Sequence, residues 1–458
     1  MKSERKVMST DLTNSNNIAK TLFFFSMPMI LGNLLQQFYN IIDTWVVGKY
    51  IGAQALASVG ASYTLMTFLN SVFIGLCMGS GAIFAYYFGQ KDLNKMKNCM
   101  DTAFVFIGGI TLILTIVVRL CLPLIIRLLN IPGELQKMTG NYLEIICVGI
   151  FFIFLFNYYA YVLRSIGNSV VPLIFLAIAS LLNIVLDLWF VLGLKWDLKG
   201  AAIATVTAQA FSGIGLGIYT YIKRADLRFS IKSFIGKEKP LKEIIQFSMV
   251  TCGQQSVMNF GILMIQGLVN SFGTSVMAAF AAAVKIDTLA YMPAQEFGNA
   301  YSMFISQNFG AGKLKRIKRG TKSAFVMSVS FCALLSIFVF IFAKSLMAIF
   351  VSGAEADIIN IGNSYLKIEG ACYIGIGVLF LLYGYFRGVN RPMVSFVLTM
   401  ISLGTRVVLA YVLAAVDVIG VYGIWWAIPI GWLLADMVGI YIMKKRRIQK
   451  NKMSNQLN

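Results

Sequence analysis

Four oxygen-bearing side chains stand where an apolar chain has least use for them: Asp43, Tyr142, Asp187 and Thr205, with Asn183 one helical turn before Asp187. An isolated carboxylate at the centre of a membrane span costs at least about 2.5 to 3.5 kcal/mol, so it persists mainly where it faces a wet cavity or a partner. Asp43 lies within QQFYNIIDTWVVGKYIGAQALA, in a segment that also carries Gln36, Gln37 and Asn40 before any loop signal. The competing placement puts it at the interface, snorkelling into headgroups near Gly48.

Depth brings these residues within reach of one another. Asp43 falls five residues before the outer end expected at Gly48, and Asp187 seven before the end at Leu194. Tyr142 and Thr205 lie three and five residues inside the outer starts of their spans, at 139 and 200. At the helical rise per residue, all four sit about 5 to 10 Å from the outer boundary. Asn183 and Asp187 share one helix face. Two carboxylates with amide, phenol and hydroxyl oxygens make a hard-oxygen environment for a small cation. Equally, the two acids can share a proton, because both cannot ionise cheaply at close range. In the blander reading, Asn183 and Tyr142 are interhelical hydrogen-bond glue.

The elements that must position these groups follow from composition. Of 458 residues 58% are hydrophobic and 13% charged, with a mean hydropathy of +0.76, well short of the roughly 25% charge of soluble domains. Since about 20 apolar residues cross a bilayer as helix, twelve spans are predicted. They lie near 22–48, 56–87, 101–122, 139–163, 171–194, 200–222, 244–270, 276–308, 323–350, 358–383, 393–415 and 420–443.

The net charge of +20 does not imply nucleic acid, because 29 of the 39 Lys and Arg residues fall in loops and termini on one side of this topology. That bias predicts cytoplasmic termini in the cell membrane. Residues 1–20 lack a cleavable signal pattern, so the first span is expected to double as the targeting element. Seven cysteines without a CxxC pair and the absence of histidine remove support for disulfide frameworks, metal clusters and His-based catalysis. The chain is read as not an enzyme, without a cofactor.

The chain also repeats itself. FSM at Phe25 recurs at Phe247, FGQKDLNKMKN at Phe88 recurs as FGAGKLKRIKR at Phe309, YLEI at Tyr142 answers YLKIEG at Tyr365, and LRSIGN at Leu163 answers FRGVN at Phe386. Four ordered matches at offsets of 221 to 223 residues mark an internal duplication. Six spans per half make the repeats parallel, with a cleft expected between them. The predicted organisation is a cytoplasmic tail 1–20, lobes 21–222 and 244–443 joined by a basic linker 223–243, and a basic tail 444–458. The acids are not duplicated: Asp43 corresponds to Ile265, Asp187 to Ala410 and Asn183 to Arg406.

Within the spans, Gly79–Gly81 and Gly375–Gly377 predict close helix packing rather than hinges, and Pro132-Gly133 marks an outer turn. Lys285, Asp287, Glu296 and Arg406 are charged inside apolar segments and predict interhelical ion pairs, or else a second lumen-facing cluster.

The segment Pro28 to Ala57, the two FG loops, LRSIGN, and LLNIVLDLWF followed by GAAIAT together resemble the multidrug and toxic compound extrusion (MATE) transporters, from about Thr21 to Met443. The resemblance implies an all-α protein of twelve transmembrane helices in two six-helix repeats. It also implies an antiporter exporting cationic amphiphilic drugs in exchange for Na⁺ or H⁺ by alternating access. The implied cation site is Asp43, Tyr142, Asn183, Asp187 and Thr205, with Thr207 as an alternative to Thr205; no metal other than Na⁺ is implied there. For substrate it implies Gln36, Tyr39 and Asn157, with Asn183. The expected partners are small-molecule drugs and the lipid bilayer, with the protein working as a monomer. One departure is that some relatives carry acids on the seventh and tenth spans, where this chain has Gln254, Gln255 and Glu369. A lipid-linked or polysaccharide flippase and a major-facilitator-type porter are the competing readings.

Overall fold

The computed structural model describes residues 10–128, 131–228, 240–350 and 355–456. Lys2, Arg5 and Lys6 of the basic tail, and Lys232, Lys237 and Lys239 of the expected linker, lie outside the described residues. The described chain is helical throughout its regular structure: α1 (Ile18–Val46), α2 (Ala53–Gln90), α3 (Leu93–Leu120), α4 (Leu122–Leu128), α5 (Gly133–Ser165), α6 (Val170–Leu188) and α7 (Asp197–Lys223) are followed by α8 (Leu241–Asn270), α9 (Thr274–Gly310), α10 (Leu314–Phe350), α11 (Ala356–Ala371), α12 (Tyr373–Gly388), α13 (Pro392–Ala414) and α14 (Val421–Gln456).

Ten of the described helices are long and apolar enough to cross a membrane, and α11 with α12 makes an eleventh as a bent pair. The seventh predicted span is α8. Its 30 residues suffice for a crossing, but Gln246, Gln254, Gln255, Asn259 and Gln266 dilute its hydropathy. The tenth predicted span is not straight: α11 and α12 meet at 51°. The break falls between Gly370 and Gly375, where Cys372 N–H bonds Glu369 O at 2.9 Å in a tight turn. It leaves the buried Glu369 beside an interrupted backbone ladder.

Local geometry carries the duplication further. Lys91 (φ 63°) and Gly312 (φ 68°) both turn left-handed, 221 residues apart, and Gly167 (φ 87°) and Asn390 (φ 59°) do so 223 residues apart. These are the offsets of the FG and LRSIGN motifs. Gly167, Gly312 and Asn390 are residue types that enter this region readily, while Lys91 enters it as the C-cap of α2.

The helices gather into two compact units. The first comprises the described residues of Met1–Ser15, Phe23–Gln255 and Ser306–Gly312; the second comprises those of Asn16–Leu22, Ser256–Ile305 and Lys313–Asn458. In the first, α5 lies centrally, packed on α2, α3 and α7, with α6 against α7. Ser80 Oγ on α2 and Ser248 Oγ on α8 share a 2.7 Å hydrogen bond, and a Cβ at Gly79 would collide with the Phe247 carbonyl. That glycine serves close approach, as expected.

One end of the first unit is tied by its N-terminal strap. Leu12 is fully buried. Thr10 N–H donates to Gly167 O (2.8 Å), Asn308 Nδ2 to Leu12 O (3.0 Å), and Gln307 Nε2 to Ser165 O (2.6 Å). Partial burial pushes the Asp11 carboxyl up, but hydrogen bonds from Asn14 and Thr13 outweigh it and hold the group below its ordinary value of 3.8. Beside the strap, Gly89 abuts the Gln307 carbonyl and Gly310 abuts that of Tyr86 so closely that neither has room for a Cβ.

The second unit packs α13 on α14, and α10 on both α11 and α12. Its core holds an aromatic cluster in which Phe280 stacks on Trp425 (5.5 Å, 6°) and Tyr365 meets Trp425 edge-on (4.9 Å, 86°). Arg387, of the recurring arginine motif, is buried. It donates from Nη2 to Asn299 Oδ1 (2.9 Å) and from Nε to Ser302 Oγ (3.1 Å). Arg387→Ala is expected to cost about 2 to 3 kcal/mol, since hydrogen bonds to charged groups are the stronger kind and truncation leaves buried polar atoms behind. Denaturant midpoints in detergent micelles would measure it.

Candidate functional site

Asp43 and Asp187 meet. Asp43 lies on α1 and Asp187 on α6, near the ends of helices that each finish in a five-residue π-turn, Val47–Ile51 and Trp189–Gly193. Such turns are rare and concentrate at functional positions. The two pack against one another and against α7, above an apolar cluster of Val47, Val191, Leu198, Ala201 and Tyr142. This cluster fixes the ends of α1 and α6, so the two carboxyl groups are held within hydrogen-bonding reach of each other.

Asp187 and Asn183 are buried, while Asp43 is half-buried. Among the described residues, Asp43 Oδ1, both Asp187 carboxylate oxygens and both Asn183 side-chain polar atoms have no hydrogen-bond partner outside this acid contact. Burying polar atoms unpaired costs roughly 1 to 3 kcal/mol each. Several convergent oxygens suit a hard monovalent cation, and a shared proton would join the two carboxyls.

The surrounding residues divide. Tyr142, near-fully buried, lies close enough to feel both carboxylates, and so does Tyr39, which stands beside Gln36. Tyr39 was expected among substrate contacts; it stands beside the acids as well. Thr205 Oγ1 donates to Ala201 O (3.0 Å), and no hydrogen bond joins it to the acidic pair among the described residues. Thr207, the alternative, is exposed and lines a separate outer groove with Arg119 and Glu144. Asn157 is half-buried and donates to Ile153 O (2.9 Å) within its own helix. Gln36 is exposed.

Asp287, Glu369 and Arg406 line a cavity of about 70 Å³ in the second unit, with Tyr291 and Tyr365. Space of that size holds only a few waters. Asp287 reaches both Glu369 and Tyr373, yet no ion pair within 4 Å joins either acid to Arg406 among the described residues. Asp287, Glu369 and Arg406 thus gather around one cavity without a close ion pair among the described residues. Lys285 is exposed, and Glu296 accepts from Asn299 Nδ2 (3.2 Å). Sequence reading passed over Asp436, buried on α14 with no partner for Oδ1 among the described residues. It also missed the Tyr365–Glu369 pairing, which its four-residue spacing on one helix face already signalled.

The model of the MatE family matches residues 28–189 and 250–412, one stretch in each repeat. The chain is 30% identical to the probable multidrug resistance protein YpnP of Bacillus subtilis, over 84% of this chain and 86% of that protein. It is 26% identical to the probable multidrug resistance protein NorM of Thermotoga maritima, over 92% and 90% of the two chains. To the multidrug export protein MepA of Staphylococcus aureus it is 23% identical, over 94% and 95%. Among solved structures it superposes on the outward-facing conformation of a multidrug resistance MATE family transporter with a TM-score of 0.88, at 22% identity over 96% of this chain and 98% of that one. It superposes on a MOP superfamily transporter from Pyrococcus furiosus with a TM-score of 0.86, at 22% identity over 96% and 99%. With its doubled architecture and matches to both repeats, the chain belongs to the MATE family of membrane transporters.

Proposed function

We propose that this protein is a secondary multidrug exporter, an antiporter that moves cationic amphiphilic compounds outward in exchange for Na⁺ or H⁺. The carrying observation is the meeting of Asp43 and Asp187 with partnerless oxygens around them. A cation or proton there would be bound with different affinity in two conformations, which is the condition for driving a transition. Tyr142 and Asn183 complete the cation site, with Thr205 at its edge. Gln36, Tyr39 and Asn157 hold the drug by aromatic and amide contacts. The names of the relatives support drug export, and the loop charges support a cell-membrane location with both termini in the cytoplasm. The protein is read as a working monomer.

The flippase reading finds less support, because the Arg406 cavity also carries Asp287 and Glu369, two acids that would repel a pyrophosphate head.

Proteoliposomes given separate Na⁺ and pH gradients provide the test. One gradient should drive ethidium against its concentration by at least about tenfold, equivalent to roughly 1.4 kcal/mol. Ethidium that only equilibrates under both gradients would overturn the antiport reading.

A further inference from the structure

A second polar site lies on the exterior of the first unit. Arg119 from the last turn of α3, Glu144 from α5 and Thr207 from α7 line one groove of about 330 Å³, floored by Val148, Ile203 and Val206. Arg119, Glu144 and Thr207 are all exposed. Measured from the span ends predicted at 122, 139 and 200, they lie about 5 to 10 Å inside the outer boundary, from where long side chains reach toward phospholipid glycerol and headgroups. An exposed carboxylate at that depth calls for a cationic partner. Arg119 shares its groove, but no ion pair within 4 Å joins the two among the described residues. Thr207 Oγ1 gives its proton to Ile203 O (2.7 Å), so its lone pair faces outward as an acceptor.

We infer that this groove binds a zwitterionic phospholipid with a primary ammonium, of the phosphatidylethanolamine type. Opposite charges held apart in one groove fit a ligand that carries both. The phosphate accepts from the Arg119 guanidinium in the forked geometry that group favours. The ammonium donates to the Glu144 carboxylate and the Thr207 oxygen, while the aliphatic floor takes the glycerol and first methylenes. A phosphatidylglycerol offers no cation to Glu144, and a choline headgroup has no N–H to donate.

Native mass spectrometry of the full-length protein, presented with equal amounts of dioleoyl phosphatidylethanolamine, phosphatidylglycerol and phosphatidylcholine, tests this without any transport measurement. The wild type should retain the ethanolamine lipid about tenfold over the others, the scale of one charge-assisted contact. Glu144→Gln should abolish the preference over phosphatidylglycerol, Arg119→Ala should lower retention of the ethanolamine lipid, and Glu144→Asp should preserve the preference. Equal retention of the three lipids by the wild type would overturn the proposal, as would an undiminished preference in folded Glu144→Gln. Melting curves identify folded variants; if the substitutions prevent folding, the three-lipid comparison on the wild type decides alone.

Discussion

Asp187→Asn is expected to bring uphill drug transport down to the level of empty liposomes, while leaving the amount and monodispersity of membrane-inserted protein unchanged. Asp187 is fully buried and shares its contact with Asp43. An amide of the same shape keeps the packing but removes the charge that would hold a cation, or the oxygen that would take a proton. Without it a ligand binds both conformations of the carrier alike, and such a ligand shifts nothing however tightly it binds. Asp43→Asn should behave the same way, whereas Asn157→Ala should weaken drug affinity and leave residual transport coupled to the gradient. The comparison separates a driving site from a cargo site. Retained uphill transport in either aspartate variant would remove the proposed mechanism.

Gly89→Ala and Gly310→Ala should each destabilise the fold, by more than the about 1 to 3 kcal/mol usual for an overpacked core position. A methyl group at either site meets backbone rather than a movable side chain: the Gln307 carbonyl at Gly89, and the Tyr86 carbonyl at Gly310. Rotamer changes cannot relieve such a clash, so helix ends must separate. Melting temperatures in detergent should fall clearly for both variants and hardly at all for Gly404→Ala, where a Cβ meets nothing within 4 Å. Wild-type melting in Gly89→Ala would show that this crossing is looser than the geometry indicates.

Much of the fold was legible because a bilayer imposes a coarse code. Span length, loop charge and a duplication visible in short motifs predicted twelve helical crossings. The meeting of Asp43 with Asp187 followed from depth counting on two helices. What depth counting cannot supply is rotation about the helix axis. Thr205 and Thr207 are two residues apart, and rotation puts Thr207 on the exterior groove. The bend at Cys372 was hidden because glycines flanking a polar residue also occur in straight spans.

The strap at the start of the chain bears on how the protein should be handled. With Leu12 seated, Thr10 N–H on the Gly167 carbonyl and the Asn308 amide on Leu12 O, a chain begun at residue 13 would present an empty notch with stranded polar groups. Affinity handles and shortened start sites therefore belong upstream of Thr10, or at the other terminus.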